Sequence, residues 1–202
     1  MTQSRRLLAG VLPLIVLLWT AGPSQAVPIT FVGSLNGPSE SPPNASPGTG
    51  SAIVVFDTVA HTLEVDVTFS GLLGTTTASH LHCCTAAPGV GTAGIATQTP
   101  SFTGFPLGVT SGTYTHTFDT SLTSTFNAPF VTANGGTAAG AEAALLAGAL
   151  AGTEYLNIHT QVVPGGEIRG FLTRVPEPSS LALLGAGLAA LAGTAWRRHR
   201  RQ

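Results

Sequence analysis

Residues 155–172 limit what this chain can fold into more than any other stretch. Tyr155-Leu156-Asn157-Ile158-His159-Thr160 has the alternation of a strand. Tyr155, Asn157 and His159 fall on one face, and Leu156, Ile158 and Thr160 on the other. Pro164-Gly165-Gly166 is turn chemistry, because proline presets φ and glycine permits a positive φ. In the return strand Ile168, Gly170 and Leu172 share a face, and Glu167, Arg169 and Phe171 share the opposite one. Burying Ile158 with Ile168 therefore predicts Asn157, His159, Glu167 and Arg169 together on the other side.

Extended patterns recur upstream. Residues 29–36 and 51–57 read as strands, and Leu63, Val65, Val67 and Phe69 then alternate with Glu64, Asp66 and Thr68 as a half-buried strand. Residues 75–83 are extended, with Ala78, His80 and His82 on one face and Ser79, Leu81 and Cys83 on the other. Residues 109–118 form a further strand. His61 in a turn and His116 among threonines are expected in solvent. The segment 37–50 holds four prolines and three serines, so it is a long ordered loop or a flexible connector. Residues 85–108 are rich in glycine and proline, and 121–136 are irregular. Residues 137–150 are rich in alanine and leucine and give the one helix away from the ends, with Leu145, Leu146 and Leu150 as its expected buried stripe. Six or seven short strands, one short helix and long loops predict an all-β fold, a single β-sandwich or barrel-like domain over residues 27–174.

Charge is segregated. Six of the eight arginines lie at the ends and there is no lysine. Residues 27–177 hold all nine acids against Arg169 and Arg174, a net charge of −7. An acidic middle argues against nucleic-acid binding, which needs basic residues to displace counterions. At the N-terminus Arg5-Arg6 precede an apolar run, and Ser24-Gln25-Ala26 fits signal-peptidase cleavage, so residues 1–26 are expected to be a signal peptide. At the other end Pro176-Glu177-Pro178 precedes an apolar segment and then Arg197, Arg198, Arg200 and Arg201. The apolar segment is slightly short for a membrane span, and the basic cluster is expected to stop transfer and stay cytoplasmic.

This tripartite end, residues 175–202, resembles the PEP-CTERM sorting signal of Gram-negative bacteria. The resemblance implies an inner-membrane precursor held by a C-terminal hydrophobic helix, processing by an exosortase, and delivery to the cell surface or matrix. The middle resembles the CHRD (chordin-type) domain. That resemblance rests on Phe31 to Leu35 with Gly37, Glu40, Pro42-Pro43 and Gly50, then on Phe69-Ser70-Gly71-Leu72 and His80-Leu81-His82. It closes on residues 155–160 with Pro164-Gly165-Gly166-Glu167-Ile168-Arg169-Gly170. It implies an extracellular β-rich module without established catalytic activity. Many relatives have glycine after the second histidine, where this chain has Cys83-Cys84.

The candidate chemistry is a histidine and cysteine cluster. His80 and His82 are spaced i, i+2, which puts both imidazoles on one strand face about 6.5–7 Å apart along the chain. His159 is a third candidate ligand and Glu167 offers an oxygen; imidazole suits zinc or copper. The structural alternative is that these groups hydrogen-bond to loops, and that Glu167 and Arg169 form an ion pair. Cys83 and Cys84 have three readings: a vicinal disulfide, free thiols, or thiolate ligands beside His82. No nucleophile elbow, phosphate loop or His-Glu-x-x-His motif is present in the sequence. The expected function is a non-enzymatic binding or structural module whose partner is matrix polysaccharide or a surface protein. The alternative is a zinc or copper protein, either a small oxidoreductase or a metal-sequestering protein.

Overall fold

A computed structural model describes residues 28–176 and 179–199. The expected signal peptide lies outside the described residues, as do Glu177, Pro178, Arg200 and Arg201. The strands are β1 (Ile29–Asn36), β2 (Thr49–Asp57), β3 (Thr62–Ser70), β4 (Thr76–His82) and β5 (Gly112–Asp119), then β6 (Tyr155–Thr160), β7 (Ile168–Phe171) and β8 (Thr173–Arg174). The helices are α1 (Ala128–Ala133), α2 (Ala138–Leu150) and α3 (Ser179–His199).

One antiparallel sheet, curled into a half-barrel, carries the strands in the order β4-β6-β7-β1-β2-β3-β5, with β8 added to β1. Its inner face is built by alternation. Phe31 and Leu35 of β1, Ala52, Val54 and Phe56 of β2, and Leu63, Val65, Val67 and Phe69 of β3 are all buried. Each such phenylalanine or leucine contributes roughly 1.5–3 kcal/mol by leaving water. The run at 53–56 is not continuous burial, since Ile53 faces outward and is 45% exposed. The hairpin forms as its pattern requires, with Ile158 opposite Ile168 and both fully buried.

Helix α2 starts at Thr137, whose hydroxyl accepts the Gly140 amide at 3.1 Å. Its buried stripe is Ala141, Leu145, Gly148 and Ala149; of the expected leucines Leu145 is fully buried, Leu146 is partly buried against the core and Leu150 is 49% exposed. Gly148 lets the helix backbone approach the Cys83 and Cys84 sulfurs, while Leu150 points aside. His61 is not simply solvated. Its Nδ1 lies 2.9 Å from Oε2 of buried Glu142, whose Oε1 accepts the Thr120 hydroxyl at 2.7 Å. Glu142 thus ties α2 to the loop ends of β3 and β5. Residues 121–136, expected to be irregular, include α1 and a short 3-10 turn at Thr123–Thr125.

The C-terminal α3 is 21 residues long. No helix among the described residues is long and apolar enough to cross a membrane, so the expected transmembrane span is not met. The charge-free apolar part, 181–196, falls short of the ~20 residues a span requires, and its three glycines add little hydropathy.

The paired isoleucines generate a test of the face assignment. Ile158→Asp places an unpaired carboxylate in the core and is expected to cost more than about 4 kcal/mol. Thr68→Asp, on the exposed face, is expected to cost under about 1 kcal/mol. Urea unfolding of the two variants distinguishes them, and equal midpoints would reverse the assignment.

Candidate metal centre

Strand β6 lies between β4 and β7, so the register decides which polar residues meet. His80 pairs with Asn157, Ala78 with His159 and His82 with Tyr155. Asn157 is in turn opposite Arg169, and Tyr155 is opposite Phe171. Paired residues share a face, so His80, His82 and His159 stand together on the face away from Ile158. Loops from 37–48 and 84–108 cover that face and bury both sides of β6. His80 and His82 are 3% and 7% exposed, and His159 is half-buried.

The three rings pack edge to face or tilted, with centroids 5.2–5.8 Å apart. Each ring is held by one loop carbonyl. His80 Nε2 donates to Pro100 O at 2.7 Å, His82 Nδ1 to Ala93 O at 3.0 Å, and His159 Nδ1 to Pro164 O at 2.9 Å. A carbonyl only accepts, so these contacts fix the tautomers and leave the other nitrogen of each ring as a lone-pair donor. Those nitrogens, His80 Nδ1, His82 Nε2 and His159 Nε2, are buried without a hydrogen-bond partner. One ligand nitrogen from each ring lies within 4.8 Å of the other two. An ion about 2.0–2.1 Å from each nitrogen needs them roughly 3.4 Å apart, so the rings must draw in by about 1 Å or less. Three convergent, correctly tautomerised imidazoles with carbonyls behind them fit a zinc or copper ion.

The electrostatics keep the imidazoles neutral. Burial pushes His80 and His82 down to about 4, against the opposing effect of their carbonyl partners, and His159 is lowered for the same reason. Neutral imidazole is the form that binds metal.

Beside the histidines lies a buried polar row that the sequence pattern shows only in part. Arg169 donates through Nε to Ser39 O and through Nη1 to Gly91 O at 2.8 Å. Its guanidinium stacks 4.7 Å from the Tyr155 ring centre and 5.2 Å from that of Phe171. Its acidic partner is Glu40, with Nε and Oε2 3.8 Å apart, and not Glu167, the partner in the structural alternative. Burial raises the Glu40 carboxyl to about 7, with Arg169 opposing the rise. Glu40 arrives from a proline-rich loop, where no periodicity indicates which way a side chain points.

Glu167 does not join the histidines. Its carboxylate accepts the hydroxyls of Ser46 and Thr160 at 2.6 Å each, and the amides of Leu73 and Gly74 at 2.6 and 3.1 Å. Burial works to raise its pKa, but these four bonds outweigh it and hold the carboxyl below its ordinary value. Ladder pairing stops at Ile168, so alternation no longer governs the residue before it. Gly166 makes the departure: its φ is +128°, and a Cβ there would sit 2.5 Å from the Asn157 side chain. Cys83 and Cys84 are joined as a vicinal disulfide, so neither sulfur is a thiolate ligand. His116 is half-buried against Phe118, 4.4 Å between ring centres, and stays apart from the cluster.

The shifts predict a pH signature. In the unfolded chain a histidine titrates near 6.5, whereas folded His80 and His82 do so near 4. Their folded pKa values are depressed, so the stability they carry is present above pH 6.5. It is lost as pH falls from 6.5 toward 4, at about 1.4 kcal/mol per pH unit for each imidazole. Glu40, raised to about 7, acts in the opposite sense, losing stability as pH rises from 4.5 to 7. NMR titration of the metal-free protein is expected to show His80 and His82 neutral at pH 6. Midpoints near 6.5 for either ring would contradict this account.

Residues 31–172 match the CHRD domain family, and residues 174–201 match the PEP-CTERM protein-sorting motif. Neither a curated protein nor a solved structure matches the chain.

Proposed function

From a chain that belongs to the CHRD domain family and ends in a PEP-CTERM sorting motif, we propose an exported, exosortase-processed module that binds zinc or copper through His80, His82 and His159. The role is binding at the cell surface or in the matrix, without turnover. Two observations carry the metal: each of the three rings has a buried nitrogen without a hydrogen-bond partner, and one ligand nitrogen from each ring lies within 4.8 Å of the other two. As a purely structural cluster they would leave three lone pairs desolvated, at about 1–3 kcal/mol each. One ion satisfies all three at once, and the carbonyls of Pro100, Ala93 and Pro164 already hold the rings in the tautomer it requires. A bound ion, held by His80, His82 and His159, would supply a Lewis-acidic centre.

Calorimetric titration of zinc and of copper into the wild type and His80→Ala/His82→Ala tests this. Tight binding by the wild type is expected, weakening as pH falls toward 4, where His80 and His82 take up protons in the folded protein, with at least a hundredfold loss in the double variant. Binding no tighter in the wild type than in the double variant, for both metals, would remove the site and leave a scaffold.

Delivery is tested separately. Strand β8 ends at Arg174 and the Val175 amide still donates to Thr30 O at 2.8 Å, so the folded domain ends where the motif begins. In a host with the exosortase, mass spectrometry is expected to find a mature C-terminus near Pro176-Glu177-Pro178. A chain still ending at Gln202 would count against processing.

A further inference from the structure

The Cys83–Cys84 bond lies just past the end of β4 and serves no role in the metal site. Cys84 is exposed and Cys83 is buried in the core. Helix α2 backs directly onto both sulfurs. A Cβ on Gly148 would lie 2.2 Å from Cys83 Sγ and 2.5 Å from Cys84 Sγ, so only glycine leaves room for them. The Ala144 carbonyl is 3.9 Å from Cys84 Sγ.

A second observation falls at the same place. Glu154 is fully buried, and neither carboxylate oxygen has a hydrogen-bond partner. Burial raises its pKa well above the ordinary value, so it holds a proton. The β4–β6 ladder ends with His82 opposite Tyr155, so Cys83 and Glu154 are the next residues along the two strands. The strands stay together there, since the Thr85 amide donates to Thr153 O at 3.0 Å. Leu81 and Leu156 are opposed and core-facing. Two residues on, continued alternation would carry Cys83 and Glu154 to that same side, and both are buried. A buried carboxylic acid with no partner requires an explanation, and the residue next to it in strand register is Cys83, whose sulfur must accept a proton if its bond opens.

We propose that Cys83–Cys84 is a thiol–disulfide exchange site, entered at Cys84 by an external dithiol, with Glu154 protonating Cys83 as the bond opens. A thiolate of the dithiol attacks Cys84 Sγ and forms a mixed disulfide. The Cys83–Cys84 bond breaks, and Cys83 Sγ leaves with the electron pair and takes the Glu154 proton. The second thiol of the reagent, as thiolate, attacks its own sulfur in the mixed disulfide and expels Cys84 as thiolate. That thiolate takes a proton from solvent, and Glu154 is reprotonated by solvent. The dithiol is oxidised to a cyclic disulfide, and the vicinal pair is reduced to two thiols. No metal enters any step, so the site stands or falls apart from the histidines.

The test uses the metal-free full chain under native conditions, with retained fold checked by circular dichroism. Dithiothreitol is expected to release two alkylatable thiols. Glutathione, a monothiol, is expected to be trapped on Cys84, as located by peptide mass spectrometry. No thiol release while the fold persists, or glutathione on Cys83, would overturn the proposal without any variant. Glu154→Gln keeps the shape of the protonated acid without its proton. It is expected to slow reduction about a hundredfold, and a rate within threefold of wild type would remove Glu154 from the step.

Discussion

Whether the outer face of β6 and β7 lies inside or outside the protein turns on one guanidinium. Arg169 reaches the carbonyl of Ser39 in one covering loop and that of Gly91 in the other, while Tyr155 and Phe171 pack together against its guanidinium. Loop segments have no ladder of their own, so they remain over a sheet only where side chains hold their carbonyls. Arginine suits this task because its planar fork serves several acceptors at once and stays charged. With both loops down, the Pro100 and Ala93 carbonyls are brought to the rings of His80 and His82. The burial that lowers the histidine pKa values follows from the same closure.

Two carboxylates under these loops have opposite fates, and the contrast explains their roles. Glu167 collects four hydrogen bonds and stays ionised as a clamp between the loop at 46, the turn at 73–74 and β6. Glu40 has a distant arginine contact and one oxygen without a partner, and its proton is held to about neutral pH. Burial is common to both, and the number of donors aimed at the oxygens makes the difference.

Much of this is legible in the sequence wherever the chain is paired. Alternation places Phe31, Leu63, Val65, Val67, Phe69, Ile158 and Ile168 inside, and the i, i+2 spacing of His80 and His82 puts both rings on one face. Residues 159 and 80 meet because β4 pairs with β6, a long-range choice that no local pattern encodes. Alternation fails at Glu167, one residue past the ladder, and in α2, where packing distance and not hydrophobicity selects Ala141, Gly148 and Ala149 over Leu150. Glu40 and the loop carbonyls that orient the rings lie in irregular backbone. There a side chain's direction follows from tertiary contacts alone.

The strand order has a consequence for how the protein is made. The sheet joins β4 to β1 only through β6 and β7, which come after every other long strand in the chain. The β1–β7 contact unites Asn36 with Arg169, close to the two ends of the domain. Until residues near 170 have emerged, β4 and β1 each present an unpaired edge, and the histidines have neither their third member nor their cover. Such non-local closure folds slowly. The chain therefore crosses the membrane with little prospect of premature knotting into a finished domain, and the last segment to arrive is the one that completes it.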